Sequence, residues 1–302
     1  MTLPIVYHRD YMAPLKPGHR FPMSKYGYLR ETLVAEGVLP AAGGYLAPAP
    51  AHLDMIAAVH DRAYVERVFN RSLDAAELRR IGLPGSAAMV RRVRLSAAGT
   101  TLAARLALSH GIACNAAGGS HHAGPEGGAG FCVFNDVAVA SRTLLDQGAV
   151  SQILVVDLDV HQGDGTARIF ADEPGVYTLS IHAAQNYPTV KAQSDRDVAL
   201  PDGLGDAGYL RTVAEALDRV LEEIRPDLAF YNAGVDPHVA DRLGRLALSD
   251  DGLAARDRMV IDRLCAAGIP VAGVLGGGYD DDVPALGRRH ASLFRAAARR
   301  AG

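Results

Sequence analysis

Residues 153–165 read Ile-Leu-Val-Val-Asp-Leu-Asp-Val-His-Gln-Gly-Asp-Gly, and no other stretch of the chain constrains its fold so tightly. The first four residues form an apolar run, the pattern of a short strand in a protein core. Asp157, Asp159, His161 and Asp164 follow at once. An ionised carboxylate beside a core strand is costly unless a cation pairs with it. Three aspartates and a histidine so close together point to a metal ion as that cation. If the chain stays extended, Asp157, Asp159 and His161 project to one side, because strand side chains alternate with period two. Asp159 and His161 then offer one oxygen and one nitrogen to a common point. That mixture suits zinc, or another borderline divalent ion such as iron or cobalt. Helix capping, the simpler explanation, uses one such residue rather than three in alternation.

The remaining pattern is that of an α/β protein. Strands are expected at 4–8, 112–115, 176–181, 228–232 and 270–275, besides the one at 153. Helices are expected near 25–36, 51–58, 61–70, 90–109, 135–147, 208–224, 252–267 and 283–300. From residue 90 onward the two alternate, which predicts a single open parallel sheet covered by helices on both faces. No repeat, low-complexity segment or linker divides the 302 residues, so they read as one domain, 1–302. With 49% hydrophobic residues the chain can bury a large core.

Charge narrows the function classes. There are 31 basic and 34 acidic residues, a net charge of -3, which argues against a nucleic-acid or membrane-surface protein. No apolar run is long enough to span a bilayer. The first residues lack the form of a signal peptide. Cys114, Cys132 and Cys265 lie far apart in apolar contexts, as expected of reduced thiols in a cytoplasmic protein.

Reactive side chains recur where the expected strands end, which is where ligands bind in such sheets. After the strand at 112 comes Gly118-Gly119-Ser120-His121-His122-Ala123-Gly124. Two neighbouring histidines can face one cavity only from an irregular loop, and glycine permits that backbone. After the strand at 228 comes Ala233-Gly234-Val235-Asp236, with a third candidate oxygen ligand. After the strand at 270 comes Gly276-Gly277-Gly278-Tyr279, which ends in a phenol. Each taken alone has a structural explanation; their coincidence at four strand ends does not.

Those motifs, together with Gly130-Phe131-Cys132-Val133-Phe134-Asn135-Asp136, resemble the zinc-dependent histone deacetylase family and its arginase–deacetylase fold. The likeness runs in order over nearly the whole chain. The segment Gln193 to Pro201 is most similar to the class IV branch and its bacterial relatives. The resemblance implies that Asp159, His161 and Asp236 hold zinc, or iron in the cell. It implies that His121 and His122 serve the general base and acid steps, with Asp157 and Asp164 behind them. Tyr279 then donates its hydroxyl to the oxyanion. A structural potassium ion is implied at Asp157, Asp159, His161, Ser180 and Ile181, and a second monovalent cation near Phe170 and Val176. Gly130, Phe131, Gly277 and Gly278 are expected along the acyl-lysine tunnel, with Arg20 at its inner end. The family's second tunnel phenylalanine is missing, and Tyr187 or His182 is expected to take its place. The family's rim aspartate has no counterpart in this sequence.

The implied activity is metal-dependent hydrolysis of N-acyl-lysine side chains. A small acylated amine such as an acetylpolyamine is the alternative substrate. A ureohydrolase needs a second set of metal carboxylates. A non-catalytic acyl-lysine binder is expected to lack Tyr279 or a histidine of the pair. The sequence leaves acyl length and oligomeric state open.

Overall fold

The computed structural model describes residues 2–40 and 44–301. Its strands are β1 (Ile5–Val6), β2 (Ile112–Asn115), β3 (Ile153–Asp157), β4 (Val176–Ala183), β5 (Arg196–Leu200), β6 (Leu228–Asn232) and β7 (Val271–Val274). They form one sheet in the order β1-β2-β7-β6-β3-β4-β5, and every neighbouring pair is parallel. Four helices come before the first crossover: α1 (Lys25–Ala35), α2 (Leu53–Ala57), α3 (Arg62–Phe69) and α4 (Ala75–Ile81). Then α5 (Ala87–His110) leads into β2, α6 (Asp136–Asp146) into β3 and α7 (Asp164–Ile169) into β4. Next, α8 (Asp206–Glu223) leads into β6, α9 (Asp250–Ala266) into β7, and α10 (Val283–Ala301) follows. Among the described residues no helix is long and apolar enough to cross a membrane.

The alternation of side chains in β3 divides the core. Ile153 and Val155 pack with Ala104 of α5 and Val137 and Leu144 of α6. Leu154 and Val156 join the opposite layer, with Leu217 of α8, Leu264 of α9 and Phe294 of α10. Burial on both faces explains why the central strands read as continuous apolar runs. Each such side chain contributes about 1.5–3 kcal/mol when fully buried.

Strand order also selects the place for a ligand. From β3 the chain moves outward to β4, whereas from β6 it moves the other way to β7. The crevice between β3 and β6 is therefore the topological switch point, beyond the carboxyl ends of the strands. Asp157 lies opposite Asn232 of β6 and Ser180 of β4 in this register.

One strand and two α-helices escaped the sequence pattern. Strand β5 carries Arg196 and Asp197 on an edge that pairs only with β4, so its solvent side hides the apolar alternation. Helix α4 has one buried residue, Ile81, but a capping box between Asp74 and Glu77 starts it and Gly82 at φ 76° ends it. That capping box is a sequence-level signal. Helix α7, only six residues long, begins at Asp164 and is too short for a periodic stripe. The extended run at 153 also stops sooner than expected, at Asp157.

Candidate metal centre and active site

Past Asp157 the backbone turns instead of continuing as a strand. The Asp159 amide donates to Asp157 Oδ1 (3.2 Å), and the His161 amide donates to Asp159 Oδ1 (3.0 Å). Local side-chain-to-backbone bonds of this kind compete with ladder formation. The turn withdraws Asp157 behind the site, whereas Asp159 and His161 meet Asp236 from the loop after β6. One potential ligand atom from each of these three buried residues lies within 4.8 Å of the others. His161 Nδ1 is 3.0 Å from Asp159 Oδ1 and 3.2 Å from Asp236 Oδ2. The carboxylates are held by backbone donors: Val160 N–H to Asp236 Oδ1 (2.8 Å) and Gly277 N–H to Asp159 Oδ2 (2.6 Å). Burial, then the neighbouring Asp159 charge, pushes the Asp236 carboxyl up to about 7. Among the described residues no lysine or arginine is paired with either carboxylate. The donor set therefore fits a borderline divalent cation, which lets both acids ionise. Gly277 is required for that fit: a Cβ there would lie 2.0 Å from Asp236 Oδ2 and 2.7 Å from Asp159 Oδ2.

The two ligand loops rest on a buried arginine that sequence reasoning missed. Arg256 of α9 donates to the carbonyl oxygens of Gly234 (2.6 Å), Leu158 (3.4 Å) and Ala233 (3.5 Å). Asp257 balances its charge at 2.8 Å and also accepts from Tyr231 (2.6 Å). In the sequence, Arg256-Asp257 looks like an ordinary exposed pair on a charged helix.

The histidine pair is positioned from behind. His121 Nδ1 lies 2.7 Å from Asp157 Oδ2, and His122 Nδ1 lies 2.7 Å from Asp164 Oδ1. Asn232 donates to Asp157 (2.9 Å) and Arg168 to Asp164 (2.7 Å), so both acids are themselves anchored. The ring centroids are 4.1 Å apart, and His121 Nε2 lies 3.6 Å from Asp159 Oδ1. Their environments differ. Burial opposes a charge on His121, but the carboxylates of Asp157 and Asp159 outweigh it and lift the ring to about 9. Burial and the His121 charge depress His122 to about 4.

The loop that carries the pair is tied down at both ends. Asp136, at the start of α6, accepts from the Ser120 and Gly119 amides (2.8 and 3.1 Å). On the other side His60 bridges Gly124 O (2.8 Å) and the Asn135 amide (2.9 Å). Donor and acceptor on one ring demand the neutral form, and burial lowers His60 to about 4.

Tyr279 stands between two cavities. The outer one, about 830 Å³, also reaches His122, His161, Gly130, Phe131 and Tyr187. The inner one, about 30 Å³, has room for a water and reaches Asp159, His121 and Gly277. The Tyr279 backbone is clamped by Asp241 Oδ2, which accepts its amide at 2.6 Å, and by Arg242 Nε, which donates to its carbonyl at 2.7 Å. Burial raises the phenol well above its ordinary value, so it remains a hydrogen-bond donor. Phe131 lies 5.7 Å from the Tyr279 ring, and Tyr187, which lines the same cavity, meets His122 edge-on at 4.8 Å. Phe131 takes a left-handed φ of 66°, held by its amide bond to Ile81 O (2.7 Å) at the end of α4.

Several expectations are corrected. Arg20 is exposed at the outer cavity, and the arginine of the inner cavity is Arg92 of α5, bonded to Tyr11 O (2.8 Å) and Tyr26 Oη (2.6 Å). Arg92 sits on a helix face that looks solvated in sequence. His182 is buried and 3.0 Å from Ser180 Oγ, away from both cavities, so Tyr187 alone stands at the aromatic wall. Gly278 lines neither cavity; its carbonyl faces buried Lys25 (3.4 Å). His19 reaches the outer cavity, and His290 is fully buried. Ser180 and Ile181 lie beside Asp157 on β4, and Phe170 and Val176 flank the turn from α7 to β4.

Comparison with known proteins points to one family. The histone deacetylase domain matches residues 19–296. An uncharacterized protein of Picosynechococcus sp. is 49% identical over 98% of this chain and 99% of its own length. Histone deacetylase 2 of Arabidopsis thaliana is 31% identical over 91% of this chain and 74% of its own. A probable deacetylase of Archaeoglobus fulgidus is 30% identical over 92% and 82%. The solved HD domain of HDA15 superposes with a TM-score of 0.82 over 99% of this chain and 88% of that one, at 22% identity, which speaks to the arginase–deacetylase fold alone. The chain belongs to the histone deacetylase family.

Proposed function

We propose that this chain, as one domain, hydrolyses the amide of N-acyl-lysine side chains in proteins with a divalent cation, zinc or iron, held by Asp159, His161 and Asp236. The observation that carries the reading is the convergence of those three residues beneath a cavity walled by Phe131 and Tyr187. Such a cation, when bound, polarises the amide carbonyl and lowers the pKa of a water beside it. The protein supplies the rest. Asp157 and Asp164 occupy Nδ1 of His121 and His122, so proton transfer falls to Nε2 of each ring. Together the pair takes the proton from water and returns one to the departing lysine amine, which keeps the balance of protons at zero. Tyr279 donates its O–H to the carbonyl oxygen as negative charge builds there.

Two further sites complete the proposal. A potassium ion at Asp157, Asp159, His161, Ser180 and Ile181 would brace the β3 turn, and a second monovalent cation would sit near Phe170 and Val176. The segment from Gln193 to Pro201, which includes β5, favours a class IV-like member.

The test is turnover. The chain loaded with zinc, and separately with iron, is given acetyl-, butyryl- and myristoyl-lysine peptides and acetylputrescine, and the released carboxylate is measured. Hydrolysis of a lysine peptide supports the proposal. Hydrolysis of acetylputrescine alone transfers it to small amines, and silence with full metal occupancy leaves a binder.

A further inference from the structure

Five arginines surround the outer cavity: Arg20, Arg79, Arg80, Arg242 and Arg245, with no described carboxylate lining it. All five are exposed. Asp281 balances Arg242 (2.8 Å) and Asp202 balances Arg245 (2.9 Å). Arg20, Arg79 and Arg80 have no described carboxylate within ion-pair distance, and Arg80 is steadied by its Nε bond to Gly128 O (2.9 Å). The surplus is local, because the whole chain carries a net charge of -3. At about 830 Å³ the cavity is larger than one acyl-lysine side chain needs and admits a stretch of peptide.

Resting on the hydrolase reading above, we propose that this arginine mouth selects acyl-lysines flanked by aspartate or glutamate, so that the substrate is an acidic polypeptide. Like charges facing one another are repelled, which disfavours lysine- and arginine-rich segments and polyamines. The five arginines line a single cavity that leads to His122, His161 and Tyr279, so they match a few carboxylates beside an inserted side chain better than the regular charge of a phosphate backbone.

The experiment uses acetyl-lysine peptides of equal length flanked by glutamate, by serine or by arginine, with metal-loaded protein. Both kcat/KM and the anisotropy of labelled peptides are measured. Glutamate-flanked peptides should bind and react about tenfold better than serine-flanked ones, since several exposed pairs each contribute modestly, and the advantage should shrink in high salt. In Arg20→Gln/Arg79→Gln the glutamate-to-serine ratio should fall toward one. A ratio of one in the parent, an unchanged ratio in the double variant, or tighter binding of a single-stranded oligonucleotide than of the glutamate peptide would overturn the proposal. Acid-selective binding without turnover of any peptide would keep the mouth and overturn the hydrolase reading. Turnover without charge preference would do the reverse.

Discussion

The floor of the outer cavity comes from the carboxyl ends of β2, β3, β6 and β7, and nearly every polar atom there is buried and bonded. The mouth comes from α4 and from loops before α1 and α9, and its charged atoms are exposed. Position decides what each charge is worth. Burial and the neighbouring Asp159 charge push the Asp236 carboxyl up, so two carboxylates side by side at the floor favour a cationic partner. Exposed arginines are screened by water and salt, so the mouth only biases which partner arrives. The floor should therefore be intolerant of change and the mouth forgiving.

The largest effect should follow from Asp236→Ala or Asp159→Ala, with loss of bound metal and of essentially all turnover. Full zinc occupancy by elemental analysis would remove that residue from the ligand set. Arg256→Ala acts one layer below: it strands Asp257 and should lower unfolding free energy by about 3–5 kcal/mol. A urea midpoint unchanged from the parent would show that the buried pair does not brace the ligand loops. Tyr279→Phe should reduce kcat by about a hundred- to a thousandfold with metal content intact. Loss of metal in parallel would mean a structural role for the phenol instead.

A smaller, pH-dependent effect should come from His60. Folded His60 takes up its proton near pH 4, the unfolded chain near 6.5. Between those values the unfolded state binds more protons, so stability rises with pH and is lost on acidification, by up to about 3 kcal/mol from this group. His60→Gln should flatten urea stability against pH in that window; equal slopes in parent and variant would refute it. At the forgiving end stands Arg79→Gln, for which we expect full metal content and a change in kcat/KM of less than about tenfold, confined to charged peptides. If this variant lost metal, floor and mouth would not be separable.

Legibility in the sequence follows the same division. The central strands were readable because burial on both faces demands unbroken apolar runs, as in Ile153 to Val156. The floor residues were readable because their chemistry is costly in a core and concentrates in glycine-rich strand ends. Residues that act through distant partners were not. Arg256, Arg92 and Asp241 look like surface charges, and only packing shows which backbone groups they hold. Arg20 was misplaced for the converse reason: its neighbours in sequence suggest a deep pocket, but its loop leaves it exposed.

The amino-acid order alone determined the parallel α/β architecture and the set of groups able to hold a cation, since local burial and side-chain chemistry specify both. Only the tertiary structure decided that the backbone turns directly after Asp157, that Arg256 holds the two ligand loops from behind, and that arginines from three separate segments line the mouth. Those outcomes depend on where the chain turns and on which distant residues become neighbours, and neither is a property of any local stretch.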